Sequence, residues 1–381
     1  MFKNCLLSLT VLCTLSCFKS ISQTSSKEIF YAGSYSDRGS KGIYVYAFNR
    51  AEGNFTELQA VTEGKSPNFL AIHPAKKYLY AVYSEGKEKI DQNGRVMSFN
   101  IDPSTGFLTK INEVSAEGRG PAHISVDPRG RFVYVSNYGE GNFAVFKVGA
   151  DGSLGKTTAV VKHTGSSINT GRQAAPHVHS IIPSADGNFI YVSDLGTDKI
   201  MIYKVDGNTG AISEATTPFS SNTPGSGPRH FAIHPNGRFG FSAEELTSTI
   251  SSYKIDQSTG AMSPLEGVSM LPADFERARS SAADIHLSPD GKFLYASNRG
   301  HESLVIYSVN ASTGKLKLVG FENTRGKHPR NFCVDNKGEY IFIANRDTDN
   351  ITVFKRDRKT GKLQFKGEGA KTPAVVCIQQ L

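Results

Sequence analysis

Tryptophan is absent from the 381 residues, and no long stretch spaces its apolar residues as a helix would, which argues against a helical bundle. Long hydrophobic runs are also missing: the one near the N-terminus, Leu6 to Leu15, is too short to span a bilayer permanently. Cysteine is scarce. Cys5, Cys13 and Cys17 lie in the first 22 residues, so only Cys333 and Cys377 remain in the body of the chain, far from the density of a disulfide scaffold. Those two read as small buried hydrophobes. No HExxH, paired CxxC, EF-hand loop or GxSxG elbow occurs, so the expectation is an absence of metal and cofactor, and no serine-hydrolase elbow is indicated. The net charge of +8 is spread without a dense Lys/Arg block, which speaks against nucleic acid and fits a small anionic ligand better.

The first residues have the pattern of an export signal. Lys3 supplies a positive start, Leu6 to Leu15 an apolar stretch, and Ser20-Ile21-Ser22 a small-x-small cleavage site before Gln23. Residues 1–22 are therefore expected to be a signal peptide, and the mature protein to be soluble and periplasmic or secreted. A lipid anchor on Cys17 is the minor alternative, because Thr14 stands where a lipoprotein signal normally has Leu.

What is abundant is a repeated turn. Asn49-Arg-Ala-Glu-Gly53, Asp102-Pro-Ser-Thr-Gly106, Asp151-Gly152, Asp206-Gly-Asn-Thr-Gly210, Asp256-Gln-Ser-Thr-Gly260, Asn310-Ala-Ser-Thr-Gly314 and Asp357-Arg-Lys-Thr-Gly361 recur about every 50 residues. Asp or Asn caps such a turn with its side chain, and Gly supplies the positive φ of a tight hairpin. A second landmark is a Pro-Asx-Gly-type turn before an aromatic strand, as in Pro128-Arg-Gly130 before Phe132-Val-Tyr-Val135 and Pro289-Asp-Gly291 before Phe293-Leu-Tyr295. Those aromatics read as packing between units. Seven turns of this kind predict an all-β, seven-bladed β-propeller with four-stranded antiparallel blades, occupying residues 28–381 as one domain. Residues 28–35 and 373–381 each read as a strand, and together they would complete one blade and close the ring. Asp151-Gly-Ser-Leu-Gly155-Lys-Thr157 approaches a phosphate-binding loop, but Ala150 replaces its first Gly and the segment falls on one of these hairpins, so it is rejected.

Charged residues interrupt the repeat at the start of the second strand region of several units. Pro176-His177-Val178-His179, Gly227-Pro228-Arg229-His230 and His328-Pro329-Arg330 do so, while Ser297-Asn298-Arg299-Gly300 and Ala243-Glu244-Glu245-Leu246 follow aromatic strands. A single such His or Arg is usually structural. Recurrence in neighbouring blades, whose corresponding positions converge on a central channel, predicts one cationic pocket.

At these residues the chain resembles the seven-bladed lactonase family, which includes propeller 6-phosphogluconolactonases and carboxy-cis,cis-muconate cyclases. Further marks are Asp194-Leu-Gly-Thr-Asp198 and His234-Pro-Asn-Gly237, and the resemblance spans nearly all of residues 28–381. It implies His179, Glu245, Arg229 and Arg299 as catalytic residues, with His177 and His230 lining the pocket to bind the substrate; Arg330, read from the recurrence of charged residues between blades, is the further substrate-binding candidate. Glu244 departs from the family, which commonly has Asn there, and this leaves open whether Glu244 or Glu245 enters the pocket. The implied activity is hydrolysis of a sugar lactone, with His179 or Glu245 as general base and the arginines holding an anionic substrate and the developing oxyanion. The alternatives are a carboxymuconate-type cycloisomerase and a non-catalytic propeller that binds protein or glycan.

Overall fold

In the computed structural model, which describes residue 1, residues 28–84 and residues 94–381, the repeated turns fold by the expected hydrogen bonds. Asp102 Oδ1 accepts from the N–H groups of Ser104 and Thr105 at 2.9 and 2.8 Å, and the Gly106 N–H, at φ +77°, donates to the Asp102 carbonyl at 2.8 Å. Asp206, Asp256, Asn310 and Asp357 repeat the arrangement. Each such turn joins the third strand of a blade to its outermost fourth. The Pro-Asx-Gly turns join the first strand to the second, as where Asp127 N–H donates to the Phe132 carbonyl at 2.8 Å. The phosphate-loop look-alike at Asp151 is one of the outer hairpins.

The described residues form seven sheets, each four-stranded. The first blade contains Glu28–Ser34, Ile43–Asn49 and Asn54–Val61. The second runs from Pro67–Ile72 to Leu108–Ser115, the third from Pro121–Val126 to Leu154–Lys162 and the fourth from Val178–Pro183 to Ile212–Ser221. The fifth runs from Pro228–Ile233 to Met262–Ser269, the sixth from Ser281–Leu287 to Leu316–Asn323 and the seventh from Pro329–Val334 to Leu363–Lys371. Val375–Gln380 then returns to the first blade as its innermost strand, antiparallel to Glu28–Ser34 with Tyr31 opposite Gln379. Every innermost strand abuts those of the two neighbouring blades, so the ring is closed.

The core is divided among the blade interfaces. Seven apolar clusters each draw on two adjacent blades; Phe132, Tyr134 and Phe143 of the third, for example, pack with Val178, Ile181 and Val192 of the fourth. Second strands such as Phe132–Asn137 are buried at every residue because both of their faces meet another blade, so they lack simple alternation. Outermost strands such as Met262–Ser269 are largely exposed. Cys333 and Cys377 are free thiols, Cys377 fully buried. The expected signal peptide lies outside the described residues, apart from residue 1. Among the described residues, no helix is long and apolar enough to cross a membrane.

Candidate active site

A β-bulge near the start of each innermost strand decides which side chain faces the axis. Pro228 pairs with Glu244, but His230 pairs with Ala243, so Arg229 is an extra residue without a partner of its own. The same slip isolates Asn68, Ala122, His179 and Arg330 in four other blades, and Val376 in the closing strand. A bulge bends its strand and re-aims the extra side chain. These segments open the first strand of their blades, not the second as the sequence suggested. A second set of side chains comes from where the second strands end: Tyr35, Ser84, Tyr138, Glu245 and Arg299. Asn68, Ala122, His179 and Arg330 join that set, with Gly120, Pro121 and Arg172, around a cavity of about 450 Å³ at one end of the axis.

Glu245 is the electrostatic centre of this cavity. Arg172 Nη2 donates to its Oε1 at 2.7 Å, while Arg229 Nε and Arg299 Nη2 stand 2.9 and 3.3 Å from its Oε2. The Arg229 Nε–H is not aligned on that oxygen and has no other acceptor among the described residues, so this contact is an attraction of charges without a formed hydrogen bond. Burial alone would raise the Glu245 pKa, but Arg299, Arg229 and Arg172 hold it far below the usual carboxylate range. Arg330 lines the same cavity with its guanidinium 5.4 Å from the centre of the Tyr35 ring, and among the described residues it pairs with no carboxylate. Three guanidinium groups therefore surround one carboxylate, Arg330 adds a fourth to the same site, and the cavity carries an excess of positive charge.

His179 forms part of the wall. It is 4% exposed, its ring lies 5.4 Å from that of Tyr138, and its buried Nδ1 has no hydrogen-bond partner among the described residues. Burial first, then Arg229, His230 and Arg330, push its pKa well below the ordinary histidine value, so the imidazole is neutral at pH 7.

Of the residues singled out in the sequence, His179, Glu245, Arg299 and Arg330 line the cavity, and Arg229 reaches Glu245 from below. His177 and His230 are not on this wall. His177 stacks on Tyr138 with ring centres 4.4 Å apart, its Nδ1 2.9 Å from the Tyr138 carbonyl. His230 lies one layer deeper, with its Nδ1 2.6 Å from Asp284 Oδ1. Asp194 and Asp198 serve the backbone: Asp194 accepts from the N–H groups of His177 and Gly196, and Asp198 from those of Gly225 and Gly227.

The choice between Glu244 and Glu245 follows from the sheet. Glu244 is the last paired residue of its strand, opposite Thr249. Asn137, Asn298 and Asn345 occupy that place in other blades, and each donates its side-chain N–H to a buried carbonyl. Glu244 is a substitute for this structural Asn, fully buried, with Asn222 Nδ2 donating to its Oε1 at 2.5 Å. Burial pushes its pKa up to about 8, so it is mostly protonated at pH 7. Glu245, one residue on, points into the cavity.

Arg172 and Tyr138 escaped the sequence reading. Arg172 sits in the connection between Lys162 and Val178, outside the repeat, where nothing in the spacing marks it. Asp198 pins that connection by accepting from Ser167 Oγ at 2.5 Å and Gln173 Nε2 at 2.8 Å, which fixes Arg172 over the cavity. Tyr138 directly follows the buried strand Phe132–Asn137, the position that Glu245 takes in its own blade.

Comparison with known proteins agrees with this fold. The family model described as "Lactonase, 7-bladed beta-propeller" matches residues 29–380. A 6-phosphogluconolactonase of Formosa agariphila is 39% identical over 318 residues, covering 81% of this chain and 86% of that protein. A 6-phosphogluconolactonase of Bacillus subtilis is 33% identical over 310 residues, with the same coverage of 81% and 86%. Among solved structures, a periplasmic gluconolactonase of Pseudomonas aeruginosa superimposes with a TM-score of 0.87 at 30% identity, covering 93% of this chain and 99% of that one.

Proposed function

The chain belongs to the seven-bladed β-propeller lactonase family and is a sugar lactonase, and we propose that its substrate is an aldonolactone carrying an anionic group, with His179 as general base. The observation that carries this reading is the placing of a neutral imidazole beside an excess of guanidinium charge in one cavity. About 450 Å³ suits a monosaccharide lactone and its attacking water. Arg330, without a carboxylate of its own, is the group offered to the anionic substituent, which in the named relatives suggests a phosphate on C6.

Hydrolysis requires a water oxygen to bond to the lactone carbonyl carbon, a group to take the water proton, and positive charge where the carbonyl oxygen becomes an oxyanion. Glu245 is poorly suited to the proton because Arg172, Arg229 and Arg299 already occupy its oxygens, whereas the neutral His179 ring is paired with no carboxylate among the described residues. Glu245 serves instead to hold Arg299 and Arg229 in place. His179 takes the proton, Arg299 faces the oxyanion, and the proton passes to the ring oxygen as its bond to the carbonyl carbon breaks. The product is the open-chain acid. Export, expected from residues 1–22, is part of the same proposal; protein recovered outside the cytoplasm with Gln23 as its first residue would support it, and retention of residues 1–22 in the cytoplasm would sink it.

The test is pH-stat hydrolysis of 6-phosphoglucono-δ-lactone, glucono-δ-lactone and galactonolactone. Turnover above the spontaneous rate that His179→Ala and Arg299→Ala abolish supports the site. Preference for the phosphorylated lactone that Arg330→Ala erases supports the anion. Wild-type rates no higher than spontaneous on every lactone would overturn the substrate proposal.

A further inference from the structure

Beneath the cavity, the residues that follow the bulges form a polar layer in three consecutive blades: His230 in the fifth, Asp284 in the sixth and Asn331 in the seventh. The Asp284 carboxylate is 2% exposed and surrounded by donors. His230 Nδ1 and the Ile285 N–H meet its Oδ1 at 2.6 and 3.0 Å. Asn331 Nδ2, the Phe332 N–H and His286 Nε2 meet its Oδ2 at 2.6, 3.2 and 2.8 Å. Burial would raise the Asp284 pKa, but His286 and His230 hold it well below the usual value, so the group is an anion with its acceptor capacity filled.

That environment dictates how His230 is protonated. Nδ1 faces a carboxylate and must carry the proton, which leaves a lone pair on Nε2. Arg229 Nη1 lies 3.2 Å from Nε2 and also donates to the Ala283 carbonyl. A guanidinium can only donate, so the contact is attractive only while Nε2 is bare. In the other tautomer two N–H groups would face each other. The same guanidinium brings its Nε to 2.9 Å from Glu245 Oε2.

We propose that Asp284 is a positioning residue for hydrolysis: it fixes the tautomer of His230, whose Nε2 then seats Arg229 against Glu245 at the base of the cavity. The inference rests on the lactonase reading, although Asp284 touches neither the cavity wall nor the substrate. It also accounts for His230, which resembles a pocket residue in sequence and lies beneath the pocket in the structure. Replacing Asp284 by Asn keeps the shape but gives the site an N–H₂ among groups that are already donors. His230 is then driven toward its Nε2–H tautomer, and Arg229 loses its acceptor.

The tautomer can be read directly from imidazole ¹⁵N shifts in the histidine-labelled protein. In the wild type His230 should be protonated on Nδ1, and in Asp284→Asn on Nε2. The kcat of Asp284→Asn should fall about 10- to 100-fold with a smaller change in KM, because the misplaced charge matters most as the oxyanion forms. In a His230→Gln background, which has no tautomer to fix, the Asp284→Asn change should cost less than threefold; a purely structural loss would keep its full size there. A wild-type His230 protonated on Nε2 would overturn the proposal, and so would an equal loss in both backgrounds. The wild-type spectrum needs neither turnover nor a mutant that folds, so failure to hydrolyse any lactone would count against the functional reading and leave the tautomer question answered separately.

Discussion

Gly314, in the outer hairpin of the sixth blade, lies so close to Phe239 of the fifth that a Cβ added to it would stand 2.4 Å from the ring Cδ1. Gly210 meets Phe132 in the same way, Gly260 meets Phe189, and Gly361 meets Phe293. The two landmarks of the repeat, turn glycine and strand aromatic, are thus the two halves of one contact between neighbouring blades. Glycine is required there twice over, by its positive φ and by the ring that fills the space of a side chain.

Gly314→Ala should therefore destabilise the protein by about 2–4 kcal/mol, combining a left-handed backbone with an overpacked contact. Urea unfolding should show the loss, while the KM for lactone stays at its wild-type value because the turn is remote from the cavity.

Glu244 makes stability depend on pH in a direction unusual for a carboxylate. Its folded pKa is raised to about 8 from an ordinary 4.5, so between these values the folded state keeps a proton that the unfolded chain releases. Stability from this group is complete below about pH 4.5 and falls as pH rises toward about 8. Glu244→Gln should abolish that fall, giving a melting temperature above that of the wild type at pH 8.5 and near it at pH 5. Parallel wild-type and mutant profiles would show that Glu244 is ionised in the fold.

Arg172→Ala should reduce kcat/KM by about 10- to 100-fold, since it removes a charged hydrogen bond from Glu245 and leaves that carboxylate to Arg229 and Arg299 alone. The Arg172 side chain is 44% exposed on a surface connection, so the melting temperature should change by no more than a degree or two. Steady-state kinetics beside a thermal melt separates the two effects.

The activity should persist into mild acid. His179 is held neutral well below its ordinary pKa of 6.5, so kcat/KM for lactone should not decline through that pH and its acid limb should appear well below it. Stability should set the practical limit. His123, His179 and His230 all have lowered folded pKa values, so the unfolded chain binds more protons as pH drops below 6.5, and the fold loses stability in that direction. A pH-stat profile alongside melts at pH 5 to 7.5 checks both statements.

The ring of blades was legible because its turns are chemically demanding: few residues besides Asp or Asn followed by Gly make that hairpin. The site was legible where a charged residue replaces a small or apolar one, as at His179, Arg229, Arg299 and Arg330. Depth was not. His230 and Arg229 are adjacent in sequence, yet a bulge that leaves no mark in the sequence aims one at Glu245 and the other at Asp284. The Glu244 question could have been answered by aligning the blades, because Asn137, Asn298 and Asn345 mark its position as structural. Arg172 lies in a connection that obeys no repeat, so periodicity is blind to it.

The seam of the ring has a consequence for synthesis. Val375–Gln380 follows every other strand among the described residues, yet it is the inner wall of the blade that begins at Glu28. Until it docks, Glu28–Ser34 presents an open edge, and the arc of the cavity between Arg330 and Tyr35 has no Val376 behind it. A ribosomal product cut short by a dozen residues would carry each polar group of the site and still lack the seam. Ring closure thus waits on the last of the described strands, and a chain without it keeps an unpaired edge open to pairing with another chain.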